Sequence, residues 1–239
     1  MWILQFYTTN IRKQQKILYY KGMDFFTIHK RLFVVNMLSV ILFALLSLSA
    51  LMPNARPVFD IWTDAERINL VHQTITEAML TVSAVVSPMV LSTFTLCLFV
   101  LLFVYKKRAE AFLLLGAMAG ALLSVQILKQ MFAVTRPLTD ITAFGLSFPS
   151  GHATIAAVFF LTGLFVLEKH VTNRFVRVVL AIGACSLVLL TGFSRIYLGV
   201  HWLSDILAGF ALGMFWVSLS FIILYRSQYH YGTTHPKRS

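Results

Sequence analysis

Acidic residues are scarce in this sequence. Its 239 residues hold 9 Asp and Glu against 20 Lys and Arg, and charged residues of both signs make up 12%. Soluble domains carry about 25%. The shortage excludes a disordered polar tail and argues against a soluble enzyme. Cysteine is nearly absent. Cys97 and Cys185 sit in separate apolar runs, which excludes a disulfide scaffold and a thiolate metal pair; both read as small core residues. No Walker-type loop or kinase signature occurs, so nucleotide chemistry is not indicated. Long internal repeats and low-complexity stretches are missing too.

What is there is hydrocarbon. Apolar residues make up 58%, and mean hydropathy is +0.78. A spanning helix needs roughly 20 apolar residues. Six runs qualify, at 32–52, 83–105, 111–128, 152–167, 177–193 and 203–224, and they hold no Asp, Glu, Lys or Arg except Arg177 at an edge and Asp205. The expected fold is all-α: a polytopic membrane bundle of about six transmembrane helices. Residues 1–31 form a basic, aromatic-rich arm before the 32–224 transmembrane domain, and 225–239 form a basic tail. The arm mixes Trp2, Tyr7 and Tyr19 with lysines, which suits an interfacial helix at the headgroups or a loose basic arm. No cleavable leader is expected, because the first apolar run starts late and is too long for one.

Charge orients the bundle. Residues 1–31, 106–110, 168–177 and the tail are basic, whereas 53–82 holds Asp60, Asp64, Glu66 and Glu77 against Arg56 and Arg67. Basic connections alternate, which places both termini in the cytoplasm and the connections 53–82, 129–151 and 194–202 outside, at the periplasmic face of a bacterial inner membrane. The net charge of +11 therefore reads as membrane flanking, with membrane lipids as partners and no nucleic acid. Gly116-x-x-x-Gly120 and Gly209-x-x-x-Gly213 permit close helix contact, within one chain or between copies; oligomeric state stays open.

The outer connections hold what the spans exclude. Lys129, Arg136 and Arg195 are three cations with almost no local acid, a set that suits a phosphate, although any one of them also fits headgroup anchoring. Pro149-Ser150-Gly151-His152 precedes an apolar run. Ser150 suits an N-cap and Gly151 lets a ligand approach the backbone of a helix start, which attracts anions. His201 and Asp205 are four apart, as on one helix face. A carboxylate there fixes the imidazole tautomer, as a histidine nucleophile or base requires; a buried polar pair tying helices together is the plainer alternative. Two histidines and an acid also suggest zinc, but the three cations repel a divalent ion. Together the groups fit phosphoryl transfer through a covalent intermediate.

Lys-x6-Arg-Pro from Lys129, Pro-Ser-Gly-His from Pro149 and Ser-Arg-x5-His-x3-Asp from Ser194 resemble the three-part signature of the type 2 phosphatidic acid phosphatase superfamily, with every specified residue present. The resemblance implies a metal- and cofactor-independent phosphatase acting on a lipid phosphate or diphosphate. His201 is the implied nucleophile, Asp205 orients it, and His152 protonates the leaving oxygen and then activates water. Lys129, Arg136, Ser150, Gly151, Ser194 and Arg195 hold the phosphoryl oxygens; Ser194 alternatively only positions Arg195. Undecaprenyl diphosphate or phosphatidylglycerol phosphate is the favoured substrate. Lipid A 1-phosphate, phosphatidic acid, phosphotransfer between lipids, and a non-enzymatic carrier of anionic lipids are the alternatives. The acids and Trp62 of residues 53–82 lie on the same side, which suggests a substrate-selecting lid.

Overall fold

A computed structural model describes residues 25–52, 56–139, 141 and 144–234. Most of the arm, residues 1–24, and the last five residues of the tail lie outside the described residues, so the expected interfacial helix is not addressed. The described chain is helical: α1 (Phe25–Ala50), α2 (Val58–Asn69), α3 (Gln73–Val85), α4 (Pro88–Val104), α5 (Arg108–Phe132), α6 (Gly151–Glu168), α7 (Arg174–Tyr197) and α8 (Leu203–Thr234). Six spans are long and apolar enough to cross a membrane, with α3 and α4 sharing one.

That shared span differs from expectation. Residues 73–82 were expected in a loop, because Gln73, Thr74, Thr76, Glu77 and Thr81 interrupt the apolar run. They are helical, and α3 plus α4 cover 32 residues, more than a membrane requires. The excess is divided at Pro88, which cannot donate a backbone hydrogen bond and takes the first turn of α4. Ser87 caps that turn by accepting from the Val90 amide at 3.4 Å. Residues 58–69 also form a helix, so the 53–82 connection is built rather than open. Helices α5 and α7 outrun their apolar stretches as well. Their last turns carry Lys129 and Ser194-Arg195 up to one end of the bundle.

Helix α8 is the centre. It packs against α1, α6 and α5, while α6 packs on α7 and α4 on α5. Asn36 on α1 donates to the Phe215 carbonyl at 3.1 Å and to Ser218 Oγ at 3.0 Å, pinning the first span to the last. The α6–α8 contact depends on missing side chains. A Cβ at Gly209 would lie 2.7 Å from the Ser150 carbonyl, and one at Gly213 would lie 2.6 Å from Ala157 Cβ. Gly120 lies under the Trp216 ring, whereas a Cβ on Gly116 would meet nothing within 4 Å. The second small-residue pattern thus serves packing within the chain, and the first does so at one position. Cys97 and Cys185 correct the core reading: both thiols are free and exposed, on faces that the apolar spans turn outward.

At one end, the 106–110 and 168–174 connections meet. Lys169 pairs with Glu110 at 3.3 Å, and Lys107 Nζ lies 2.8 Å from His170 Nε2. The polar constellation gathers at the other end. Gly213→Leu is expected to pry α6 from α8 and lower stability by about 1–3 kcal/mol. The thermal midpoint in detergent measures it, with Gly116→Leu as the control that leaves the midpoint unchanged.

Candidate active site

The site is organised by a buried carboxylate. Asp205 lies in the first turn of α8 and has no exposed surface. Its Oδ2 accepts from the Trp202 amide at 2.9 Å, from His201 Nδ1 at 3.1 Å and from Ser147 Oγ. An anion at a helix N-terminus is also favoured by the aligned peptide dipoles. His201 was expected on the helix with Asp205. It lies instead in the turn before Leu203, and the pair forms because Asp205 folds back to cap that turn through Trp202. Gly199, at φ +65°, lets the turn reverse direction.

These bonds set the tautomer of His201. Nδ1 carries the proton that Asp205 accepts, so Nε2 keeps a lone pair. Nε2 lies 3.1 Å from Arg136 Nη1. His201 is 4% exposed. Burial pushes its imidazole down to about 4, with the nearby charges of Arg136 and Lys129 acting in the same direction and Asp205 opposing them. The ring is therefore neutral at physiological pH, the form a nucleophile needs.

Residues 133–150 deliver the other partners. Phe148 is fully buried, 5.0 Å ring to ring from Phe132 and 5.8 Å from Phe43. That plug fixes the loop between α5 and α1 and aims Ser147 at Asp205. Arg136 reaches the carbonyls of Gly145 at 3.0 Å, Phe144 at 3.2 Å and Leu146 at 3.3 Å, and that of Val200. Lys129 Nζ donates to the carbonyls of Leu146 and, at 3.2 Å, Ser147. Both cations are held in place by neutral acceptors. Burial lowers the Arg136 guanidinium from its usual range while Asp205 raises it, and it stays charged.

A cavity of about 140 Å³ opens beside them. A water takes about 30 Å³ of liquid, so the space holds a phosphoryl group. Lys129, Arg136, Gly151, His152 and His201 line its polar side; Pro88, Leu122, Val125 and Ile155 line an apolar side, with Gln126 between. Of the expected site residues, these five converge on one space. Ser150 is the expected N-cap of α6, accepting from the Ala153 amide at 3.5 Å, and its own amide donates to the Asp205 carbonyl at 3.1 Å. Ser194 faces elsewhere, its hydroxyl donating at 2.7 Å to the Thr191 carbonyl of its own helix. Arg195 does not line the cavity; it donates to Ser83 Oγ on α3, and its Nε is buried without a partner. Its charge is still close enough to act on His152 and Lys129.

Sequence reasoning missed Ser147, Ser83 and Gln126. The signal for Ser147 was available, a small polar residue just ahead of the Pro149–His152 segment; Ser83 lay at the edge of an apolar run and gave none. Among the described residues no cluster of three His, Cys, Asp or Glu side chains is placed to hold a metal ion.

Comparisons with known proteins agree with this arrangement. The PAP2 superfamily profile matches residues 110–229, which include every motif residue. Phosphatidylglycerophosphatase B of Bacillus subtilis is 34% identical over 133 residues, 52% of this chain and 64% of that protein. Lipid A 1-phosphatase of Rhizobium etli is 38% identical over 95 residues, 40% of this chain and 35% of that protein. Undecaprenyl-diphosphatase of Sulfolobus acidocaldarius is 30% identical over 127 residues, 49% of this chain and 57% of that protein. The chain thus spans less than two thirds of the length of each of these curated relatives. The crystal structure of a transmembrane PAP2-type phosphatidylglycerolphosphate phosphatase from Bacillus subtilis superposes with a TM-score of 0.69 at 25% identity, covering 84% of this chain and 98% of that one. With six spans among the described residues long and apolar enough to cross a membrane, and the three motifs gathered at one end of them, the chain is an integral membrane protein that belongs to the PAP2 superfamily.

Proposed function

We propose that the protein is a membrane phosphatase that hydrolyses a lipid phosphate or diphosphate through a phosphohistidine, with its site facing the periplasm. The observation that carries this reading is one cavity with two unlike walls. Two cations, two histidines and a helix start make one wall, and apolar side chains make the other. A phosphate on a lipid fits both.

The geometry supports the following course. The lone pair of His201 Nε2 attacks phosphorus, and the bond from phosphorus to the lipid oxygen breaks. His152 gives that oxygen its proton. Water then attacks phosphorus, His152 takes its proton, the N–P bond breaks and inorganic phosphate leaves. Asp205 stabilises the positive charge that develops on His201. Lys129 and Arg136 exchange their carbonyl acceptors for phosphoryl oxygens, which as charged acceptors make stronger bonds. Arg195 contributes its charge from behind His152, and Ser194 supports Arg195 rather than touching the phosphate. Alternating basic connections support cytoplasmic termini and the outward site.

Among substrates, phosphatidylglycerol phosphate comes first. A relative named phosphatidylglycerophosphatase B, aligned over 133 residues, and a solved phosphatidylglycerolphosphate phosphatase that covers 84% of this chain support that order. Undecaprenyl diphosphate comes second.

A panel of these lipids, with lipid A 1-phosphate and phosphatidic acid, assayed for phosphate release by the purified protein tests the reading. His201→Ala is expected to lower turnover by about 10³- to 10⁶-fold. Vanadate, which mimics five-coordinate phosphorus, is expected to inhibit, and EDTA to have no effect. Full turnover in His201→Ala overturns the mechanism.

The pH profile of kcat/KM tests the electrostatics. Protonating Nε2 removes the nucleophile, so activity is present above the pKa of His201 and lost below it. The acid limb is expected near pH 4, not near the ordinary 6.5. An acid limb at 6.5 would mean that His201 is not the buried neutral group described here.

A further inference from the structure

Residues 56–67 grip the turn that carries His201. Three side chains from this segment reach residues 199–204. The Arg56 guanidinium lies over the Trp202 ring, 5.0 Å from its centroid. Arg67 packs its guanidinium against Gly199, where a Cβ would collide with it, and donates to the Leu138 carbonyl at 3.0 Å. Between them Asp60, fully buried on α2, accepts from the Ser204 amide at 2.8 Å and from Ser204 Oγ at 2.6 Å. Ser204 is the residue before Asp205. The Trp202 amide, two residues earlier, donates to the Asp205 carboxylate.

Resting on the phosphatase reading above, we infer that Asp60 is a positioning residue for catalysis: by bonding both polar groups of Ser204 it fixes the first turn of α8, and so the direction from which Asp205 holds His201. The segment works as a strut. Trp62, expected in a lid, is 61% exposed and does not line the cavity. The buried carboxylate is otherwise hard to account for. Taking an anion out of water is costly unless its oxygens are bonded, and both oxygens of Asp60 point at one residue of the catalytic turn. Its burial raises its pKa, and the two Ser204 bonds oppose that rise. A substrate selector would face the cavity. Asp60 faces the backbone that carries the nucleophile.

The role predicts a split between kcat and KM. Misplacing a catalytic group by about 1 Å costs about 100-fold in rate. The full-length protein in detergent, with phosphatidylglycerol phosphate as substrate and vanadate as a ligand read by thermal shift, provides the test. Asp60→Ala is expected to lose about 100-fold in kcat with KM within about 3-fold, and to lose the vanadate shift. Asp60→Asn keeps an acceptor for the Ser204 amide and a donor for its hydroxyl, so it is expected to recover kcat to within about 3-fold. Ser204→Ala removes one of the two bonds and is expected to cost about 10-fold. Glu66→Gln, an exposed position on the same helix, serves as the control with wild-type kcat.

Asp60→Ala with wild-type kcat and vanadate shift overturns the inference, as does a raised KM with kcat intact, the mark of a substrate selector. If Asp60→Ala does not fold, Ser204→Ala carries the test, and wild-type kcat there overturns it. If the wild-type protein binds vanadate but releases no phosphate from any lipid, the phosphatase reading fails while the vanadate shifts of the variants still decide the role of Asp60. A wild-type protein that does neither overturns both.

Discussion

Everything at the motif-bearing end of the bundle answers to one buried oxygen. Asp205 Oδ2 receives donors from Trp202, His201 and Ser147, and each donor belongs to a segment that must be in place before the carboxylate can be buried. Stripping water from a carboxylate costs several kcal/mol in a protein. The chain recovers this only when the turn at 199–202 and the loop ending at Phe148 both close on it. Site assembly and helix packing are thus one event. Phe148 cannot fill its slot between α1 and α5 without presenting Ser147, and α8 cannot start at Leu203 without presenting Asp205. The second oxygen, Oδ1, is buried with no hydrogen-bond partner, which keeps the region negative and favours cations nearby.

That negative charge is set against Lys129, Arg136 and Arg195, so the resting site remains net positive, with its donors engaged by carbonyls and a serine hydroxyl. Such an arrangement is preorganised. The donors are aimed and desolvated before a phosphate arrives, and little rearrangement is left for the moment of reaction. Arg136 is the link between the two halves. It touches His201 Nε2, the carbonyls of residues 144–146 and the Val200 carbonyl. Arg136 therefore ties His201 to the loop at 144–146, whereas Arg195 acts on His152 and Lys129 through its charge.

Much of this was legible in the sequence. Apolar runs long enough to span, and charges restricted to the connections, gave the number of spans, because a bilayer tolerates few other solutions. The motif residues could be placed at one end because successive spans reverse direction. What stayed hidden has physical causes. Helix α3 was obscured by polar side chains that are satisfied within the helix: Thr76 and Thr81 bond back to the preceding turn and Gln73 donates forward to Glu77, so they cost less in the membrane boundary than their hydropathy suggests. The role of Ser194 depended on rotamer, not position. The cores of clusters such as Phe148 with Phe132 are long-range contacts with no periodic trace. Asp60 looked like one more acid in a polar loop, and nothing local distinguishes a carboxylate that will be buried from one left in water.

The apolar wall of the cavity explains why such a site is built at the end of a membrane helix at all. Lys129, Gln126 and Leu122 follow one another at successive turns of α5, so a single helix face runs from cation to neutral amide to hydrocarbon. A phosphate free in water can use only the first of these, and seating it leaves Leu122 and Ile155 against solvent. A phosphate esterified to a lipid fills the gradient from end to end and adds the burial of its apolar linkage, about 25 cal/mol for each Å² removed from water. Selectivity for lipid over soluble phosphate then needs no repulsive element. On the proposed phosphatase reading, it follows from the one helix face that passes from Lys129 through Gln126 to Leu122 along the cavity.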